Sequence, residues 1–344
     1  MFKIIKQSNL SQARLGQLKT PHGTIETPFF MPIATKGSVK AAQAEDIKDL
    51  GAQILLANAY HLYLQPGLKI IKKFHGLHKF MNWNGPILTD SGGYQVFSLS
   101  SLRKLTNRGV EFRSFLDGSK HFFTPEKVQQ IQDIIGSDIK MVLDVCSPYP
   151  CTKKQAAKDL ELTHHWAERS LKAHKTKSLL FAIVQGGIYK DLRIKSAEFL
   201  SQLDFDGYAI GGLAVGEPNS KMYKILDYLI DYLPKNKPRY LMGLGRPENI
   251  LEAVKKGVDM FDCVIPTREA RHGRLYFKNK IININNSKFK TSKELISTGY
   301  SLGYLHHLFK AQEPLALRLA TLHNLNFYLQ LLYQIRKKIK NNKI

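Results

Sequence analysis

The chain has 344 residues, 43% of them hydrophobic, which is enough to bury a sizeable core in one large α/β domain or two small ones. Its 51 Lys and Arg against 28 Asp and Glu give a formal charge of +23, which points to a polyanionic partner, although a Lys-, Ile- and Asn-rich composition would follow from an AT-biased genome alone. Three scattered cysteines, no apolar opening of signal length and no run near about 20 apolar residues argue against a disulfide scaffold, secretion and membrane spanning, so a cytoplasmic protein is expected.

In chain order, Phe2–Ile5 and Arg14–Leu18 flank turn-rich sequence and Pro21-His22-Gly23 marks a further turn, so residues 1–28 are expected to form a hairpin lid. Eight β-type apolar runs follow, most of them trailed by a helical-looking polar segment: Phe29–Ala34, Gln53–Asn58, Pro86–Asp90, Ile139–Val145, Leu180–Gln185, Gly207–Gly212, Tyr240–Gly245 and Met260–Pro266. Runs this apolar, with helices between them, read as parallel strands covered on both sides. Eight such units are what a closed (β/α)8 TIM barrel requires, with a doubly wound open sheet as the alternative. Residues 98–125 lack a clean helix and read as an insertion after the third strand. Beyond the eighth strand, Arg274–Ile284 reads as a second hairpin, Asn283–Lys293 is polar, and Leu315–Ile339 has the apolar period of a long helix packed on the barrel. The expected organisation is one domain, 1–344, with a C-terminal helical subdomain over about 285–344.

Active sites of such barrels lie at the C-terminal ends of the strands, so the polar residues that close the apolar runs are the ones to inspect. They are Asn58, Asp90 with Ser91, Asp144, Gln185, Gly211-Gly212 and Asp262. Each alone has a plain reading as a helix cap or a turn. Three aspartates and a glutamine around one barrel mouth are harder to dismiss, because clustered carboxylates repel one another. Two carboxylates flanking a glycosidic bond can run a double displacement, one attacking the anomeric carbon while the other handles the leaving group's proton. A third carboxylate and an amide, Asp144 and Gln185, suit the donor and acceptor edge of a purine. Tyr94 and Met242 suit the faces of a flat base, though each could equally be a core residue.

Three segments carry a resemblance: Thr89-Asp90-Ser91-Gly92-Gly93-Tyr94-Gln95-Val96-Phe97, then Gly211-Gly212-Leu213-Ala214-Val215-Gly216-Glu217, then Met260-Phe261-Asp262-Cys263-Val264 followed by Pro266-Thr267-Arg268. They resemble bacterial tRNA-guanine transglycosylases, and the likeness runs from the first hairpin to roughly residue 330. The resemblance implies Asp262 as the nucleophile on the ribose and Asp90 as general acid/base. It implies that Ser91, Asp144, Gln185, Gly212 and Leu213 bind the base, that Tyr94 and Met242 sandwich it, and that Glu217 supports the backbone around Leu213. Arg268 and Arg271 match positions that read uridines beside the exchanged guanine, and Cys146 lies near the base pocket without being a nucleophile. Val215 stands where queuine-using members tend to have glycine, so its bulk should favour the smaller aminomethyl precursor.

One departure concerns a structural zinc site that such enzymes build from Cys-x-Cys-x-x-Cys and a downstream His. Here Ser292, Glu294 and Ser297 stand at the cysteine positions, with His323 retained, so no metal and no other cofactor is expected. The expectation is therefore an enzyme acting on the tRNA anticodon loop with a deazaguanine base as second substrate, a homodimer with no membrane association. A retaining glycoside hydrolase and a non-catalytic tRNA-binding subunit are the rival readings. The first should show sugar-stacking tryptophans, of which the chain has only Trp83 and Trp166; the second would not need Asp90 and Asp262 together.

Overall fold

The computed structural model describes residues 1–99, 103–278 and 280–344. Strands β1 (Phe2–Gln7), β2 (Arg14–Thr20) and β3 (Gly23–Thr27) form an antiparallel sheet ahead of the barrel. The barrel strands are β4 (Phe29–Met31), β5 (Leu55–Asn58) and β6 (Ile87–Asp90), then β10 (Ile139–Met141), β11 (Leu179–Val184), β12 (Gly207–Ile210), β13 (Arg239–Leu241) and β14 (Met260–Asp262). All neighbours are parallel, in the order β4-β14-β13-β12-β11-β10-β6-β5. The ring closes where Ile33 bridges Leu56, with Leu56 N–H donating to the Pro32 carbonyl at 3.0 Å, which decides for a barrel over an open sheet.

Each of the eight expected runs overlaps one barrel strand, β11 and β13 beginning one residue earlier than expected, but most ladders stop short of the run's C-terminal end. The fourth run was expected to reach Val145, whereas β10 ends at Met141 and Val142, Leu143 and Val145 stay buried beyond the pairing. Apolar character reports burial, and here the chain remains buried while it turns inward to line the mouth. Local signals set the connecting helices: Thr124 caps Pro125–Ile135 by accepting from Lys127 N–H at 3.1 Å, and Gly136 ends it in the left-handed conformation.

The stretch expected as an insertion is a three-stranded antiparallel sheet, β7 (Arg103–Thr106), β8 (Gly109–Arg113) and β9 (Lys120–Phe123), with residues 100–102 outside the described residues. The hairpin lid gains a third strand, and it covers the end of the barrel opposite the strand C-termini. Arg14 of β2 forks onto Asp259 at 2.9 and 2.6 Å, just before β14, and His22 and His78 both bond Asp138, just before β10.

Past β14, β15 (Arg274–Phe277) pairs with β16 (Lys280–Asn283) as the expected second hairpin, residue 279 lying outside the described residues. Leu275 of this hairpin packs with Phe289, Leu302, Leu305 and Leu319 in a small core separate from those of the barrel. Helix Pro314–Lys340 lies along the barrel, and its fully buried Asn324 donates to the carbonyls of Pro266 (3.0 Å) and Arg274 (2.9 Å) while accepting from Tyr276 N–H at 3.0 Å. A buried amide with three partners fixes the segment that follows β14. Among the described residues no helix is long and apolar enough to cross a membrane.

Candidate active site

The strand C-termini surround a cleft of about 450 Å³ lined by Asn58, Asp90, Ser91, Tyr94, Asp144, Gln185, Gly212, Leu213, Val215, Met242, Asp262 and Arg268, among others. Nearly every residue singled out for the base or the chemistry therefore faces one space. Glu217 and Arg271 do not line it.

Asp262 ends β14 with one carboxylate oxygen accepting from the Tyr240 hydroxyl at 2.5 Å and from Gly243 N–H at 2.7 Å. Burial raises its carboxyl above the ordinary range, and these two donors oppose that by favouring the anion. Both bind the same oxygen, and among the described residues the other has no hydrogen-bond partner and is left to address a ligand. Asp90 ends β6 and accepts from the Asn58 amide at 2.6 Å and Gly92 N–H at 3.2 Å. Burial is the chief cause of its rise to about 7, helped by the charges of Asp262 and Asp144. A carboxyl at that value exchanges a proton near neutral pH.

Asp144 is raised to about 6 by burial, against the pull of hydrogen bonds from Gln185 and Ser91. Gln185 donates to it at 2.8 Å, which leaves the buried Gln185 Oε1 without a partner among the described residues. An unanswered buried acceptor beside a carboxyl is a recognition edge awaiting a donor. That side chain packs against Gly211 and Gly212; a Cβ on Gly212 would stand 2.5 Å from Gln185 Oε1, and φ is +62° there, so only glycine fits. Glu217 accepts from Ala214 N–H at 2.6 Å and Val215 N–H at 3.1 Å, holding the turn that carries Leu213 into the cleft.

Tyr94 is 51% exposed, while Met242 is half-buried. Arg268 follows Asp262 on helix Ile265–Arg271; Arg271 Nε donates to the Thr267 carbonyl at 3.2 Å. Burial pushes the Cys146 and Cys263 thiols up to about 12, so neither supplies a thiolate.

Two contributors escaped the sequence reading. Tyr240 lies two residues from Met242, and the period of a strand puts both on one face, so alternation could have flagged it. Arg193 gave no such signal: it is fully buried on helix Lys190–Ser201 and donates to the carbonyls of Gly187, Val184, Gly211 and Gly212 at 2.7 to 3.1 Å. It fastens the loops after β11 and β12 together.

The positions matched to a zinc site carry a donor set that does not fit that ion. His323 Nε2 donates to the Tyr276 carbonyl at 3.0 Å, leaving Nδ1 to accept from Ser297 N–H at 3.1 Å, and Glu294 pairs with Lys278. One imidazole engaged through both nitrogens, two neutral hydroxyls and a paired carboxylate are poor substitutes for thiolates. Among the described residues the only cluster of three metal-competent side chains is His22, His78 and Asp138 at the far end of the barrel. There each Asp138 oxygen already accepts one imidazole and one backbone N–H.

The family model described as queuine tRNA-ribosyltransferase matches residues 9–344. The chain belongs to that family. A queuine tRNA-ribosyltransferase of Caldanaerobacter subterraneus subsp. tengcongensis is 54% identical to it over all of this chain and 94% of its own length. Those of Thermoanaerobacter sp. (strain X514) and Desulforamulus reducens are 53% and 50% identical over all of this chain and 94% and 95% of theirs. Family membership makes the chain a pentosyltransferase of the tRNA-guanine transglycosylase class, active in tRNA modification for queuosine synthesis.

Proposed function

We propose that the chain exchanges the wobble guanine of G-U-N anticodons, those of the Asp, Asn, His and Tyr tRNAs, for 7-aminomethyl-7-deazaguanine through a covalent Asp262–ribose intermediate. The observation that carries this reading is the pair of strand-end carboxylates with different tasks: Asp262, oriented by two donors that favour its anion, and Asp90, poised near neutrality. The free oxygen of Asp262 forms a bond to C1′ as the C1′–N9 bond to guanine breaks, and guanine leaves with a proton that Asp90 delivers to it. The incoming base gives its N9 proton to Asp90, its N9 bonds C1′, and the ester bond to Asp262 breaks. The ribose never leaves the RNA. Removing a base from its stack costs a few kcal/mol, less in a loop than in a duplex, which suits an anticodon loop.

In this reading Asp144 and Gln185 read the purine edge, Ser91 and the Gly212–Leu213 backbone complete it, Glu217 secures that backbone, and Tyr94 and Met242 cover the two faces. Val215 lines the same cleft, which supports the reading that its bulk excludes a cyclopentenyl group. Arg268 lines the cleft and Arg271 lies one turn on, which supports their contact with the flanking uridines. The C-terminal subdomain folds without zinc, and a homodimer is favoured by the exposed, stacked Tyr300 and Tyr304 rings, 5.5 Å apart on its surface. The test is incubation of the protein with tRNA and radiolabelled guanine. Label entering G-U-N tRNAs, displaced by the aminomethyl base and poorly by queuine, supports the reading; no label entering any tRNA overturns it.

A further inference from the structure

The insertion after β6 places an aromatic side chain beside the cleft that no step of the exchange uses. Phe115 sits between β8 and β9 with 46% of its surface exposed, next to Leu116 at 47%. Its ring is backed by Tyr60, nearly parallel at 25° with centroids 6.1 Å apart, and by the edge of His61 at 5.6 Å. A ring supported from within and open without is a platform, and the fully buried Tyr60 keeps it from folding away.

Two routes join this platform to the reacting centre. Thr35 lines the cleft, and Lys36, the next residue, holds its ammonium 6.0 Å from the Phe115 centroid. Asn58 also lines the cleft; it accepts from His61 N–H at 3.0 Å and donates to Asp90 at 2.6 Å. Phe115 is thus joined to the general acid/base by three contacts, through His61 and Asn58. Lys36 and Lys40 are exposed, both lie close enough to help depress His61 below its ordinary value after burial has done so, and neither pairs with a carboxylate among the described residues. Close to the platform, then, stand a neutral imidazole and two unanswered cations.

We propose that Phe115 stacks an unpaired nucleotide next to the guanine held in the cleft, with Lys36 and Lys40 on its phosphate. The proposal rests on the transglycosylase reading for the identity of the RNA and goes beyond it in naming a subsite. Extruding one base from a loop parts its neighbours, and an exposed aromatic ring returns stacking to whichever neighbour swings out, without reading its identity. Lysines beside the ring supply the charge that single-stranded RNA binding requires.

The test uses a G-U-N anticodon stem-loop and versions carrying an abasic site at each loop position flanking the guanine, one at a time. Direct titration gives Kd, and guanine exchange gives kcat and both KM values, for the parent, Phe115→Ala, Phe115→Trp and Lys36→Ala. Phe115→Ala is expected to raise Kd and KM for RNA about tenfold, the scale of one lost base–aromatic stack, with kcat and KM for guanine unchanged and Phe115→Trp restoring both. One abasic RNA should bind the parent about tenfold more weakly and show no further penalty with Phe115→Ala. Lys36→Ala should lower the salt slope of RNA binding by about 0.7. An identical Phe115→Ala penalty on every abasic RNA, or none on any, overturns the proposal, as does unchanged RNA affinity with loss of self-association, which would make the patch a contact between copies. The abasic RNAs with the parent protein decide the matter even if Phe115→Ala fails to fold. A parent that binds the stem-loop but exchanges no guanine defeats the transglycosylase reading, while the Kd series still judges the platform.

Discussion

The two ends of the barrel hold buried aspartates in opposite circumstances. At the end under the N-terminal sheet, Asp259 meets the Arg14 fork and Arg239 N–H, and Asp138 meets two imidazoles and two backbone amides. Burial pushes Asp138 up, but His78, Ile87 N–H and His22 outweigh it and leave its carboxyl below the ordinary range. At the mouth, burial wins: Asp90 stands at about 7, Asp144 at about 6, and Asp262 is raised as well. Residue type is the same and burial raises all four carboxyls, so the donors that surround Asp138 set it apart. Asp138, whose carboxyl is held low, stabilises the fold as an anion, whereas the raised carboxyls at the mouth cost stability, a cost that the proposed chemistry accounts for.

The largest effect that would break this contrast is expected at the closed end. Asp259→Ala leaves the buried Arg14 guanidinium the carbonyls of Lys235 and Lys237 but no counter-charge, and thermal or urea unfolding should show a loss of about 3–5 kcal/mol. A loss below about 1 kcal/mol would mean that water or relaxation answers Arg14 and that the closed end is not held by its ion pair.

Asp90→Asn should act in the opposite sense. A carboxyl whose pKa is raised on folding contributes its stability fully below the unfolded value of 3.8 and loses it as pH climbs through the folded value of about 7. The amide does not titrate, so the variant's melting temperature should gain on the parent's between pH 4 and pH 7 and then hold that advantage, while guanine exchange falls. An advantage that does not grow over this range would place Asp90 among the satisfied carboxylates.

A smaller effect is expected from Arg268→Lys, which keeps the charge and loses the fork. Discrimination against stem-loops with an altered flanking uridine should fall about tenfold in kcat/KM, as for one bidentate base contact, with a lesser change for Arg271→Lys, whose Nε is committed to the Thr267 carbonyl. Retained discrimination in both would make them phosphate contacts. No effect at all is expected in the C-terminal subdomain on treatment with a chelator. Protein purified without metal affinity should carry well under one zinc per chain and melt at an unchanged temperature, whereas a drop would reveal ligands other than Ser292, Glu294, Ser297 and His323.

Much of this contrast was legible in the sequence on one side only. The mouth announced itself, because Asp90, Asp144, Gln185 and Asp262 each close an apolar run and a barrel brings such positions together. The closed end did not: Asp138 and Asp259 precede their strands and read as ordinary turn residues, and their partners Arg14, His22 and His78 are as many as 245 residues away. Arg193 was silent for the same reason, since its four carbonyl partners depend on how two loops cross. Strand ends were overrun because buried extended chain continues past Met141 without pairing, and the three strands of the 98–125 stretch are short and partly exposed.

The most direct test of the central claim is a denaturing gel of the protein mixed with a G-U-N stem-loop and trapped during exchange. The parent should show an RNA–protein adduct, and Asp262→Asn should show none, because an amide is a far weaker nucleophile than a carboxylate, while Asp144→Asn should lose base affinity without losing the nucleophile. An adduct of undiminished yield in Asp262→Asn would contradict the account and move the attacking group elsewhere in the cleft.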